Sequence, residues 1–159
     1  MTTETLPETA ASANQSPIID GLQKLVAQSY ALMGQTHYAH WNVEGPTFFA
    51  LHEAFEQQYN ELFTAIDEIA ERIRALGAYS VGGLKKMADL AGVDEADAPL
   101  RATEFVEGLL LAHEKTLETA KHVRDLSADN GDKETEDMMI ARIQVHEKTV
   151  WMLRSFLRG

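Results

Sequence analysis

Apolar side chains return along this chain at helical spacing, in four long stretches separated by glycine, proline and asparagine. Ile18, Leu22, Leu25, Val26, Leu32 and Met33 recur every three or four positions up to about Asn42, the period of an α-helix with one buried face. Ser16-Pro17 opens this stretch, with Ser as N-cap and Pro at the first helical position. Gly45-Pro46 breaks it, and a second helix is expected from about Thr47 to Leu76, ending at Gly77. Residues 77–102 are more broken: Gly82-Gly83 precedes a short helix over Leu84–Ala91, and Gly92 and Pro99 bracket a loop. A third long helix spans roughly 103–127 on Phe105, Val106, Leu109, Leu110, Leu117, Val123 and Leu126. Asn130-Gly131 makes a turn, and Asp132 caps a fourth long helix running to about Leu157, with Met139, Ile140, Ile143, Val150, Leu153 and Phe156 or Leu157 inside.

The expected fold is therefore all-α. Four long helices with one longer connection in the middle, itself carrying a short helix, describe a four-helix bundle with a crossover, the ferritin-like arrangement. Residues 1–16, rich in Thr, Ala, Ser and Glu, read as a disordered tail, and 17–159 as the bundle domain.

Composition narrows the chemistry. The 159 residues suit one domain with a real core. With no cysteine, disulfides, thiolate zinc sites and cysteine nucleophiles are excluded. No apolar run approaches the roughly 18 residues of a membrane span, and no secretory signal opens the chain, so a cytoplasmic protein is expected. The net charge of −11 disfavours general nucleic-acid binding, and residues 1–23 contain no Lys or Arg. An acidic surface instead concentrates cations.

The second helix is where chemistry gathers. At about 100° per residue, with His52 at 0°, Glu56 falls near 40°, Asp67 near 60° and Glu71 near 100°. The apolar residues Phe48, Leu51, Phe55, Leu62, Ile66, Ile69, Ile73 and Leu76 fall at roughly 240–320°. Ligand-type residues thus turn away from their own core. Glu56 and Asp67 lie about 16 Å apart along the axis, so one ion with ligands at about 2 Å cannot reach both. A two-fold axis near residues 61–62 removes the difficulty: His52 and Glu56 of one copy meet Asp67 and Glu71 of another, twice per dimer. Tyr59 and Phe63 would form the apolar centre of that contact. The plain alternative is a surface helix carrying its charges outward.

The stretch HWNVEGPTFFALHEAFEQQYNELFTAIDEIAERIRALG, from His40 to Gly77, closely resembles the Dps family of mini-ferritins, most specifically in HWNVxG, LHExF and DxxAER. The resemblance covers about residues 17–157. It implies ferroxidase ligands at His40, His52 and Glu56 from one subunit and Asp67 and Glu71 from its two-fold mate. Position 56 is more usually Asp in the family; Glu keeps the charge and extends its reach by one methylene. Imidazole with carboxylate suits Fe(II), and also Zn(II), Mn(II) and Co(II); the resemblance favours iron, with Zn(II) a possible substitute. It implies two Fe(II) per site, oxidised by hydrogen peroxide or oxygen, with Fe(III) stored in a hollow dodecamer.

Trp41 beside His40 is, by the resemblance, placed to take up stray oxidising equivalents; aromatic packing at the dimer contact explains it equally well. His37, one turn before His40, is a possible accessory ligand. His113, His122 and His146 match no ligand pattern and are expected at the surface. The acidic cluster near the last turn, Asp132 and Asp137 above all, resembles carboxylates lining the family's iron-entry pores; helix capping explains the same residues.

Three other functions compete. A di-iron site inside the bundle needs Glu-x-x-His pairs, and no histidine here has Glu three residues before it. A DNA-compacting structural role is disfavoured by the absent basic tail. A zinc hydrolase lacks a nucleophile. The expectation is a dodecameric ferroxidase and iron store that limits peroxide damage, with no membrane association.

Overall fold

The computed structural model describes residues 15–93 and 100–159. The expected tail up to residue 14 and most of the 92–99 loop lie outside the described residues. Five helices follow in order: α1 (Ser16–Asn42), α2 (Phe48–Ala75), the short α3 (Leu84–Ala91), α4 (Ala102–Asp129) and α5 (Lys133–Leu157). This is the all-α bundle with an extra helix in the connection that the periodicity predicts. The main packing pairs are α1 with α2, α4 with α5, α1 with α4, and α1 with α3.

Boundaries move by one or two residues, where helix ends fray. Gln15, not Ser16, is the N-cap of α1, so Ser16 and Pro17 are its first two helical residues, without a side-chain capping bond. Gly77 ends α2 at φ 89°, in the left-handed region open to glycine. Gly131, at φ 73°, turns the chain between α4 and α5. Asp132 then caps α5, its carboxylate accepting from the backbone N–H of Thr135 at 3.1 Å and the Thr135 hydroxyl at 2.6 Å. Arg72 of α2 reaches the same carboxylate at 2.7 Å.

The apolar stripes meet in two clusters. One holds Ile18, Leu22, Leu25, Val26, Ile69, Ile73, Val123, Met139 and Ile143. The other holds Leu32, Leu51, Phe55, Leu62, Phe105, Val106, Leu109 and Leu153. Burying each large side chain contributes about 1.5–3 kcal/mol, and truncating the fully buried Phe55 to Ala costs about 3–5 kcal/mol. One core expectation fails: Ile140 is 40% exposed. It lies about 100° around α5 from the buried Met139, a turn that here carries it to the edge of the buried face.

Candidate metal centre

Gly45-Pro46 reverses the chain between α1 and α2, which sets the end of one helix against the start of the next. His40 lies in the last turn of α1 and His52 in the second turn of α2. Their rings stack with centroids 3.7 Å apart and planes 17° from parallel. His40 Nδ1 lies 2.8 Å from the carbonyl oxygen of His52, and His52 Nδ1 lies 2.9 Å from the carbonyl oxygen of His40. A carbonyl only accepts, so both Nδ1 atoms carry the proton and donate. In the neutral rings both Nε2 atoms keep their lone pairs, the form in which imidazole binds a metal. The pairing also supplies the helix: the His40 carbonyl is among the last four of α1, which lack an intrahelical partner.

Glu56 follows His52 by one turn and is exposed, as are Asp67 and Glu71 farther along the same helix. The fold therefore brings His40 to His52, with Glu56 one turn along, and leaves Asp67 and Glu71 apart. Among the described residues of one chain, no three His, Asp or Glu side chains stand together as a metal site. The surface around them is unusually apolar: Phe63 is 69% exposed, Trp41 69% and Phe49 84%. Tyr59 packs its ring against His40 at 5.2 Å and His37 at 4.1 Å, and His37 stacks on Trp41 at 5.3 Å. Burial, then the neighbouring His40, lowers the His37 pKa.

Two histidines expected at the surface are not there. His113 and His146 are 3% and 1% exposed, and their Nδ1 atoms meet at 2.9 Å across the α4–α5 interface. The signal was present in the spacing: His113 falls between Leu109 and Thr116 on the buried stripe of α4, and His146 between Ile143 and Val150 on that of α5. Burial, with the charge of Arg142, pushes His113 down to about 4. Burial, then His113 and Arg142, takes His146 down to about 2. His122 is exposed, as expected.

Asp132 is occupied by its capping bonds and by Arg72. Burial alone would raise its pKa, but the Thr135 hydrogen bonds and the Arg72 charge outweigh that and hold it below the usual carboxylate value. Asp137 is exposed and free of such contacts in the α5 cap.

Residues 19–159 match the Ferritin family, the ferritin-like domain. The chain is 38% identical over 140 residues to DNA protection during starvation protein 2 of Bacillus anthracis, covering 88% of this chain and 96% of that one. The crystal structure of a Dps protein from Bacillus brevis superposes with a TM-score of 0.88 at 34% identity, covering 93% of this chain and 99% of that chain. A Dps protein from Vibrio cholerae, described as a member of a broad superfamily of ferritin-like diiron-carboxylate proteins, gives 0.89 at 28% identity, covering 97% and 99%.

Proposed function

The chain belongs to the Dps family of the ferritin-like superfamily, and from that premise we propose that it is a ferroxidase and iron store whose active site is shared between two copies. In this reading His40, His52 and Glu56 of one copy face Asp67 and Glu71 of its mate, and twelve copies close a hollow shell in the cytoplasm. Fe(II) is the substrate. Two Fe(II) give up one electron each to hydrogen peroxide, yielding two Fe(III) and two hydroxide ions, so no hydroxyl radical is released. Oxygen is an alternative oxidant, and Zn(II) would compete for the same donors.

The observation that carries this reading is the reciprocal His40–His52 pairing. It holds Nδ1 of both imidazoles on backbone carbonyls and leaves Nε2 of each as the metal-facing nitrogen before any metal arrives, so less ordering is needed on binding. Carboxylates, ionised at neutral pH, offset the charge gained when iron is oxidised. The exposed Phe63 and Trp41 support a covering copy, since an apolar patch of this kind is a common mark of an interface. Trp41 as a trap for stray oxidising equivalents, His37 as an accessory ligand, and Asp137 with Asp132 at an iron-entry pore belong to the same proposal. The capping role of Asp132 makes it the weaker of the two pore carboxylates.

The test is stopped-flow oxidation of Fe(II) by peroxide. His40→Ala, His52→Ala and Asp67→Ala are each expected to slow it by at least tenfold in assembled protein. Unchanged rates in all three would remove the assignment. A DNA-compacting role is the second reading, favoured by the names of relatives such as the Bacillus anthracis protein. The net charge of −11 opposes it, and a retarded band in a low-salt gel shift would revive it.

A further inference from the structure

The two apolar clusters do not merge, because a polar layer crosses the bundle between them. On α1 the buried Gln28 and Ser29 lie between Val26 of one cluster and Leu32 of the other. On α4 His113 and Thr116 lie between Leu109 and Ala120, and on α5 His146 lies between Ile143 and Leu153. Arg142, 6% exposed, completes the layer and makes a two-pronged ion pair with Glu61 of α2. Both polar atoms of Gln28, the Ser29 hydroxyl and His113 Nε2 are buried without a hydrogen-bond partner among the described residues.

Hydrogen-bond chemistry fixes where the protons sit. A guanidinium only donates, so Arg142 gives to His146 Nε2 at 3.2 Å. The His146 proton is then on Nδ1 and is donated to His113 Nδ1 at 2.9 Å. His113 in turn keeps its proton on Nε2. A further proton has no compatible place. On His146 Nε2 it opposes the Arg142 N–H, and on His113 Nδ1 it opposes the His146 N–H. Moving the shared proton to His113 forces the His146 proton onto Nε2, against Arg142 again.

We propose that His113 and His146 form a proton-binding site that opens the middle of the bundle in acid while its two apolar ends stay packed. The nearest fixed charge, Arg142, opposes a further proton on either ring. α5 adds the fixed positive charge of Arg142, and α1 offers only the neutral Gln28 and Ser29. α2 offers Glu61, whose carboxylate is held by the Arg142 guanidinium. Farther out between α4 and α5, Glu114 pairs with Arg154 and Lys121 with Glu147 at the surface.

Both imidazoles titrate lower in the closed bundle than the roughly 6.5 of a free histidine. Their contribution to stability is therefore complete above about pH 6.5 and is lost as pH falls below it. Uptake of two protons on opening raises the opening constant by up to about 100-fold per pH unit in that window.

Hydrogen exchange with mass spectrometry on the full-length assembled protein, between pH 7.5 and 5 and corrected for the intrinsic pH dependence of exchange, reads this directly. Peptides over residues 24–32, 110–118 and 140–148 are expected to gain opening steeply below pH 6.5, ahead of peptides around Phe55 and Ile73. The paired substitutions His113→Gln and His146→Gln are expected to flatten that dependence. Simultaneous loss of protection at middle and ends overturns the proposal, as does an unchanged pH dependence in the variant. Should the variant not assemble, the native protein decides alone: a mid-bundle opening constant that is flat from pH 6.5 to 5 overturns it.

Discussion

His40 and His52 hold each other in place, each ring donating from Nδ1 to the other residue's backbone carbonyl, at 2.8 and 2.9 Å. Removing one imidazole leaves the other its backbone acceptor but takes away the ring stacked on it at 3.7 Å and one of two donors to the same site. The double substitution His40→Ala, His52→Ala is expected to slow Fe(II) oxidation little more than either single one, because residues acting as a unit are not additive. Multiplying effects in stopped-flow traces would show that the two rings act independently.

A shared site makes an unusual prediction for mixed assemblies. One chain carries His52→Ala and Glu56→Ala, and a second carries Asp67→Ala and Glu71→Ala; alone, each is expected to be inactive. In a mixed pair one site loses both halves and the other keeps both. Co-assembly is then expected to restore up to about half the activity per pair, following the two-fold arrangement. Mixed particles that stay inactive would place the ligands elsewhere.

Phe63 is 69% exposed on the face that carries Asp67. Phe63→Glu puts a carboxylate into the proposed apolar centre, where an unpaired buried charge is strongly disfavoured. Loss of the two-fold dimer on a sizing column is expected, together with loss of ferroxidase activity. A variant that assembles and oxidises iron normally would leave that face without a partner.

Asp132 ties α5 to α2: it accepts from the backbone N–H and hydroxyl of Thr135 in the first turn of α5 and pairs with Arg72 of α2. Asp132→Ala is expected to lower stability by about 1–2 kcal/mol, the cost of a lost N-cap, measured by denaturant unfolding. Because its folded pKa is depressed, its contribution is present above the unfolded value of about 3.9 and fades as pH falls through the folded one. The Asp132→Ala variant should therefore show a shallower loss of stability with acid below pH 4 than the native chain.

Gly21 on α1 faces Val123 of α4 so closely that an added Cβ would lie 2.6 Å from its Cγ2 methyl. Ala gains about 1 kcal/mol of helix propensity, but overpacking costs about 1–3 kcal/mol. Gly21→Ala is thus expected to be neutral to destabilising. Gly34→Ala, where nothing lies within 4 Å, should stabilise by about 1 kcal/mol in thermal unfolding. The opposite order would mean that α1 and α4 shift apart freely.

Much of this protein is legible in its sequence. The spacing of Leu22, Leu25 and Val26, or of Ile69 and Ile73, fixes helices and their buried faces, because a 3.6-residue period leaves one solution for where apolar side chains go. The same arithmetic separates His52, Glu56, Asp67 and Glu71 from the core of α2. Tertiary structure alone decided what the periodicity does not encode. The capping bonds of Asp132 and the reciprocal bonds of His40 and His52 need two elements brought together. So does the meeting of His113 with His146, which no motif announced. The spacing sets each histidine on the buried stripe of its own helix but does not say that the two meet. Only the partner on the facing helix supplies the hydrogen bond that makes their burial affordable.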